Sequence, residues 1–168
     1  VNLLALPGPV RVHLGNTGFT HIERLVGNDT DTRITGENVD TTWSVNGLHA
    51  GAGGLLTFSG VTALIGGAGD DTFNFTVTPV VANLSVNGGA HATVLGDTVT
   101  FTAPALTNQA VTVQLGATDF ANIETITGNN ATTVIADDLP TIWTLSNLHA
   151  GSVGTTAFTG VTTLMGAA

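Results

Sequence analysis

The chain has 168 residues, 42% apolar and only 9% charged, with three arginines, no lysine, no cysteine and a formal net charge of −9. That length supports one domain with its own core. The acidic balance excludes nucleic acid and anionic lipid headgroups as partners, since both need basic patches. The lack of cysteine excludes disulfides, thiolate metal sites and thiol nucleophiles. No apolar run has the length of a membrane-spanning helix, so membrane insertion is not expected. Val1 opens without a basic or long apolar leader, and the sequence reads as a mature fragment or a window of something larger.

In chain order the signals are almost wholly β. Residues 10–15, VRVHLG, alternate Val10, Val12 and Leu14 against Arg11 and His13, the period of a half-buried strand. A second apolar run, Phe19, Ile22 and Leu25, leads to Gly27. TWSVNG at 42–47 runs into LHAG at 48–51. Phe58 to Phe75, FSGVTALIGGAGDDTFNF, reads as strand, glycine turn, strand. Gly66, Gly67 and Gly69 supply the turn. After it, Phe73, Phe75 and Val77 alternate with Thr72, Asn74 and Thr76. SVNG recurs at 85–88, VTVQLG follows at 111–116, and LHAG returns at 148–151. No stretch of helical length carries a convincing 3.6 period.

These recurrences form a duplication. Residues 10–35 match 111–136 at 12 of 26 positions, and residues 41–68 match 141–168 at 14 of 28. The internal repeat is 10–110, with a partial second copy at 111–168, in one continuous domain over 1–168. A finer spacing of 39 to 41 residues relates Phe19 to Phe58 and the first SVNG to the second, or two coils of about 20 residues each. Such periods predict an all-β fold, a parallel β-solenoid (β-helix) of about eight coils, very roughly 40 Å long at the usual strand spacing. One coil cannot bury its own inward side chains, whereas stacked coils bury them in a column. The inward set predicted includes Val12, Phe19, Leu25, Ile34, Trp43, Val45, Leu48, Phe58, Leu64, Phe73, Phe75, Val86, Phe101, Phe120, Trp143, Leu145 and Phe158. A β-sandwich is the rival, but a sandwich has no reason to repeat at these intervals. The second copy stops in mid-unit, which predicts that a parent chain or an end-to-end neighbour continues the stack.

GVTALIGGAGDDTFNF, with TWSVNGLHAG ahead of it, resembles the repeats of filamentous-haemagglutinin-like and related β-strand-repeat adhesins of bacteria. That resemblance implies an extracellular or cell-surface fibre, built by self-association or continuation of one solenoid, with a host or matrix ligand. A narrower resemblance joins Gly66–Asn74, GGAGDDTFN, to the calcium-binding nonapeptide of repeats-in-toxin proteins. It implies Asp71 as a Ca²⁺ ligand, with Asp70 and the turn residues Gly67 and Gly69 completing a candidate metal site of hard oxygen donors. The family stacks many such nonapeptides, and here there is one good copy. A plain glycine turn with solvated acids is the competing account.

Other candidate chemistry is thin. His49 and His149 share one place in the repeat, with no second His beside either, and read as turn residues. Asp29 with Asp31, Asp70 with Asp71, and Asp137 with Asp138 could pair as acid and base in a carbohydrate-active β-helix. They fall in turns of different copies and no lyase motif accompanies them, so no enzyme is expected. Asn28, Asn74, Asn83 and Asn130 begin N-x-S/T triplets, which chance explains in so threonine-rich a chain. Thr76-Val-Thr78 and Thr98-Val-Thr100-Phe-Thr102 are loosely similar to the threonine ranks of ice-binding solenoids, which requires them to stack at one azimuth.

Overall fold

The computed structural model describes residues 1–15, 18–78, 83–116, 119–137 and 141–166. Strands β1 (Val10–His13), β2 (Arg24–Val26), β3 (Thr32–Thr35), β4 (Thr42–Gly47), β5 (Ala50–Gly53) and β6 (Leu56–Ser59) come first. Then follow β7 (Ala63–Gly67), β8 (Thr72–Phe75), β9 (Ser85–Gly89) and β10 (Thr98–Thr100). After a short 3₁₀ turn at Pro104–Leu106 come β11 (Val111–Gln114), β12 (Phe120–Ala121) and β13 (Thr125–Ile135). The last three are β14 (Trp143–Asn147), β15 (Ala150–Val153) and β16 (Thr156–Met165). The described residues contain no α-helix.

Two sheets result. The five-stranded sheet, order β1-β3-β7-β9-β12, is parallel throughout. The eleven-stranded sheet is mixed. Within it β4, β8, β10, β13 and β16 pair in parallel. β4-β5-β6 and β14-β15-β16 form antiparallel arms. Among the described residues neither sheet closes on itself. The expected regular stack of equal coils is therefore corrected in two respects. Antiparallel arms interrupt it, and the chain intervals between paired residues are uneven. Val12 pairs with Ile34, and Leu64 with Val86, across connections without an arm. The step from Ile34 to its partner Leu64 takes a longer piece of chain, because β4, β5 and β6 are interposed.

Register explains the core. Inward residues stack on inward residues: Val12, Ile34, Leu64, Val86 and Phe120 in one sheet, and Trp43, Phe73, Val99, Ile126 and Phe158 in the other. All ten are buried. Trp43 and Phe73 stack with nearly parallel planes and centroids 6.4 Å apart, and Phe75 and Phe101 approach to 5.2 Å. Parallel pairing places like positions over one another, so a strand's alternation is copied to the next. Three residues assigned inward are not: Leu48, Leu145 and Phe19 are 59%, 69% and 43% exposed. Leu48 sits in the two-residue hairpin between β4 and β5, and the other two lie where no strand covers them.

The arm recurs in both copies, and strand continuity differs between them. β2 and β3 are separate strands, whereas their counterparts fuse in β13; β6 and β7 likewise fuse in β16. Both copies form a clasp at the start of the second strand segment. The Asn28 amide donates to the carbonyl of Gly8 at 3.0 Å and its oxygen accepts from Thr32 Oγ1 at 2.8 Å. Asn129 does the same with Gln109 and Thr132, at 2.8 and 2.9 Å.

Phe73 touches both neighbouring layers of its column, so Phe73→Ala is expected to cost about 3–5 kcal/mol in denaturant unfolding. Leu55→Ala, at an arm tip that is 94% exposed, is expected to change stability by no more than about 0.5 kcal/mol.

Candidate functional site

The glycine-rich turn between β7 and β8 owes its composition to stacking. A Cβ on Gly36 would lie 2.1 Å from the carbonyl oxygen of Gly66, and one on Gly66 would lie 2.3 Å from that of Gly88. A Cβ on Gly88 would meet the oxygen of Asn122 at 2.1 Å. These residues line one corner of the stack, where successive backbones come too close for any side chain. A Cβ on Gly67 (φ +131°) would likewise meet the carbonyl oxygen of Glu37 at 2.2 Å, and one on Gly69 would lie 2.4 Å from the amide nitrogen of Asp40.

Beside this corner runs a ladder of carboxylates. Asp71 Oδ1 accepts the amide N–H of Thr41 at 2.9 Å. Asp97 Oδ1 accepts that of Asp71 at 2.7 Å, and Glu124 Oε2 that of Asp97 at 2.7 Å. Each acid ties its own layer to the layer before it. Asp71 and Asp97 are fully buried, and the Oδ2 of each has no hydrogen-bond partner. Burial pushes both carboxyls up to about 6, helped at Asp71 by the charge of Asp97 and at Asp97 by that of Glu124.

Asp70 points elsewhere. Its Oδ1 accepts the amides of Ala92 and Thr93, both at 2.8 Å, and its Oδ2 takes the Thr93 hydroxyl. The Thr93 bonds hold its carboxyl below the ordinary range. The four residues singled out as a calcium site all make contacts between layers. Gly67 and Gly69 are contact points between layers, while Asp70 and Asp71 accept backbone amides in different places. Among the described residues no group of three or more His, Cys, Asp or Glu converges as a metal cage.

The repeated histidines differ in surroundings. His49 adopts φ +51° in its hairpin and is 7% exposed. Its Nδ1 meets the Asp29 carboxylate, and its Nε2 lies 3.2 Å from the carbonyl of Asn83. His149 has the same backbone (φ +59°) but is exposed. Asp29 and Asp31 also face different groups. Asp29 holds His49, Asp31 bridges Arg11 at 3.1 Å, Asp137 is exposed, and Asp138 lies outside the described residues.

Two clefts, of about 550 and 790 Å³, occupy the same place in each copy, between the tip of the antiparallel arm and the body. Their shared lining is Leu14, Phe19 and Ile22 in one and Leu115, Phe120 and Ile123 in the other. An acid, Glu37 or Asp137, and a threonine, Thr41 or Thr141, rim each cleft, while His21 in the first stands where Asn122 lies in the second. The outer face of the parallel strands carries a more regular feature. Thr42, Thr72, Thr98 and Thr125 stand in one file, and Ser44, Asn74, Thr100, Thr127 and Thr159 in the next.

Sequence reasoning missed Asp97, which accepts the amide of Asp71, and Glu124, which accepts that of Asp97, both brought there by strand register. The near-equal spacing of Asp71, Asp97 and Glu124 was the available signal.

The ladder sets a pH dependence. Both buried carboxyls titrate above their ordinary value of 3.8 when folded. The folded chain therefore retains protons that the unfolded chain releases, and this stabilisation is complete below that value and lost as pH rises through about 6. The unfolding midpoint should rise on going from about pH 8 to about pH 5, and Asp71→Asn should flatten that slope. Asp71→Ala, which strands the Thr41 amide, should cost about 1–3 kcal/mol. No protein-family model, curated protein or solved structure matches this chain.

Proposed function

We propose that the chain is a structural, non-catalytic segment of an extracellular or surface-located bacterial repeat protein, working as a stiff β-solenoid rod in an adhesin or fibre. One observation carries this reading: inward residues stack in register through a run of parallel strands in each sheet. A stack of this kind transmits load through backbone pairing and buried side chains along one direction. Its partners are further layers of the same repeat, in cis or end to end, and a host or matrix surface. The glycine corner and the carboxylate ladder both join one layer to the next, which suits a rod better than a site that turns over substrate.

The reading is tested with tandem arrays of residues 10–110. Particle length by small-angle scattering should grow linearly with copy number at constant cross-section, and the melting midpoint should climb and then level off. Independent beads with an unchanging midpoint would defeat it. A melt with excess chelator should match one with Ca²⁺. A midpoint lower by tens of degrees would instead support the calcium module.

The two files of outward Thr, Ser and Asn favour a second reading, a face that orders water into a lattice. It is uncharged and hydroxyl-rich over successive strands. Ice-recrystallisation inhibition that disappears with Thr98→Lys and Thr100→Lys would support it, and no inhibition by the unaltered chain would dismiss it.

A further inference from the structure

The few cations of this chain are not scattered. Of its three arginines, two stand side by side, Arg11 on β1 directly opposite Arg33 on β3. Val12 and Ile34 beside them point into the core, so both arginines face outward from the five-stranded sheet, and both are exposed. Neighbouring strands lie about 4.8 Å apart, and like charges set opposite one another on a sheet face repel. Asp31 offsets one of the two, accepting from Arg11 at 3.1 Å. Among the described residues Arg33 forms no ion pair. The fold does not require the pair. At the matching step of the second copy, β11 on β13, the opposed residues are Thr112 and Thr133. Further along the same face the next two strands present Ala63 and Ile65, then Ser85 and Asn87, and none is charged. The margin of the face is acidic. Glu37 and Asp40, in the turn after β3, are exposed and form no ion pair among the described residues. Asp40 Oδ1 accepts the amide of Asp70 at 2.9 Å, which brings a third carboxylate to that corner.

We infer that the outer face of the five-stranded sheet is a lateral contact between two copies of the chain, with Arg11 and Arg33 of one copy against Glu37 and Asp40 of the other. Charge complementarity specifies the occupant. The basic pair lacks carboxylates, the acidic corner lacks cations, and one chain carries both, Arg33 and Glu37 being four residues apart. Two copies related by a two-fold axis therefore make each set of pairs twice, as a self-complementary patch must. A guanidinium facing a carboxylate forms a strong, often bidentate bond, and here it also relieves the repulsion between Arg11 and Arg33. Neither arginine lines either of the two clefts. An open sheet face of this kind suits a second protein surface, whereas a free anion needs donors that enclose it. The rod reading joins copies end to end; the present contact is side by side, goes beyond that reading and does not depend on it.

The test is sedimentation equilibrium of the whole chain at about 0.15 M salt, where charges are screened beyond about 8 Å. A concentration-dependent dimer is expected below about 1 mM protein. Arg33→Glu alone, or Glu37→Arg alone, should weaken it about tenfold or more, and a chain carrying both exchanges should regain it. Arg24→Glu makes the same change in net charge on the other sheet and should shift the dimer by less than about twofold. Arg33→Gln should leave the melting midpoint of the monomer no lower, because it removes a repulsion and no contact. A monomer throughout that range would overturn the proposal, as would a dimer indifferent to Arg33→Glu or one that the double exchange fails to restore. Binding of dextran sulfate that is lost with Arg33→Glu, by a chain that stays monomeric, would overturn it in favour of an anionic polymer on that face. The length of tandem arrays is unaffected by any of these results, so the two readings fail separately.

Discussion

Parallel in-register pairing is the constraint on which the rest of this molecule depends. Once Val12 lies under Ile34 and Trp43 under Phe73, each strand inherits the inside and outside of its neighbour. Apolar side chains then form columns, and burying each one stabilises two layers. A typical buried Leu, Val or Phe contributes about 1.5–3 kcal/mol, so a whole column is a large term beside any single polar contact. The columns also require layers to approach closely all the way round. At the corner of Gly36, Gly66 and Gly88 that approach puts a carbonyl oxygen within 2.1 to 2.3 Å of where a Cβ would stand. Glycine there is a steric requirement of the stack.

The acidic composition meets the same geometry in an unusual way. With three arginines in the chain, most carboxylates have no cation to face. Asp71, Asp97 and Glu124 turn instead to backbone amides of the preceding layer. A carboxylate accepting an amide N–H makes a charge-assisted bond, but burial without a counter-ion opposes its ionisation. The raised values at Asp71 and Asp97 are the balance of these effects, with desolvation the larger.

Matched sequences lie in different surroundings in the two copies. LHAG and its tryptophan recur, yet His49 is clamped between Asp29 and Asn83 while His149 is exposed. Nothing local separates them. What differs is that Asn130 stands where the first copy has Asp29, and that β8 and Asn83 lie alongside only the first copy. Environment in such a stack is a property of neighbours, which is why the same motif serves as core in one copy and as an edge in the other.

The alternation of Val10, Val12 and Leu14, the glycine turn at 66–69 and the duplication identified by themselves an all-β chain with parallel stacking and most of its core. These signals are local or periodic, and side-chain period and turn chemistry are set within a few residues. The antiparallel arms were not legible. β5, AGAG, has no apolar alternation, and its packing is decided by Trp43, whose ring lies 2.3 Å from where a Cβ on Gly53 would be. The rank of Thr42, Thr72, Thr98 and Thr125 was likewise missed, since the first step along it, which spans the arm, is longer than the others. Sequence determined which side chains seek the inside. Only the tertiary structure decided which layers meet, because register depends on the length of every arm and turn between them.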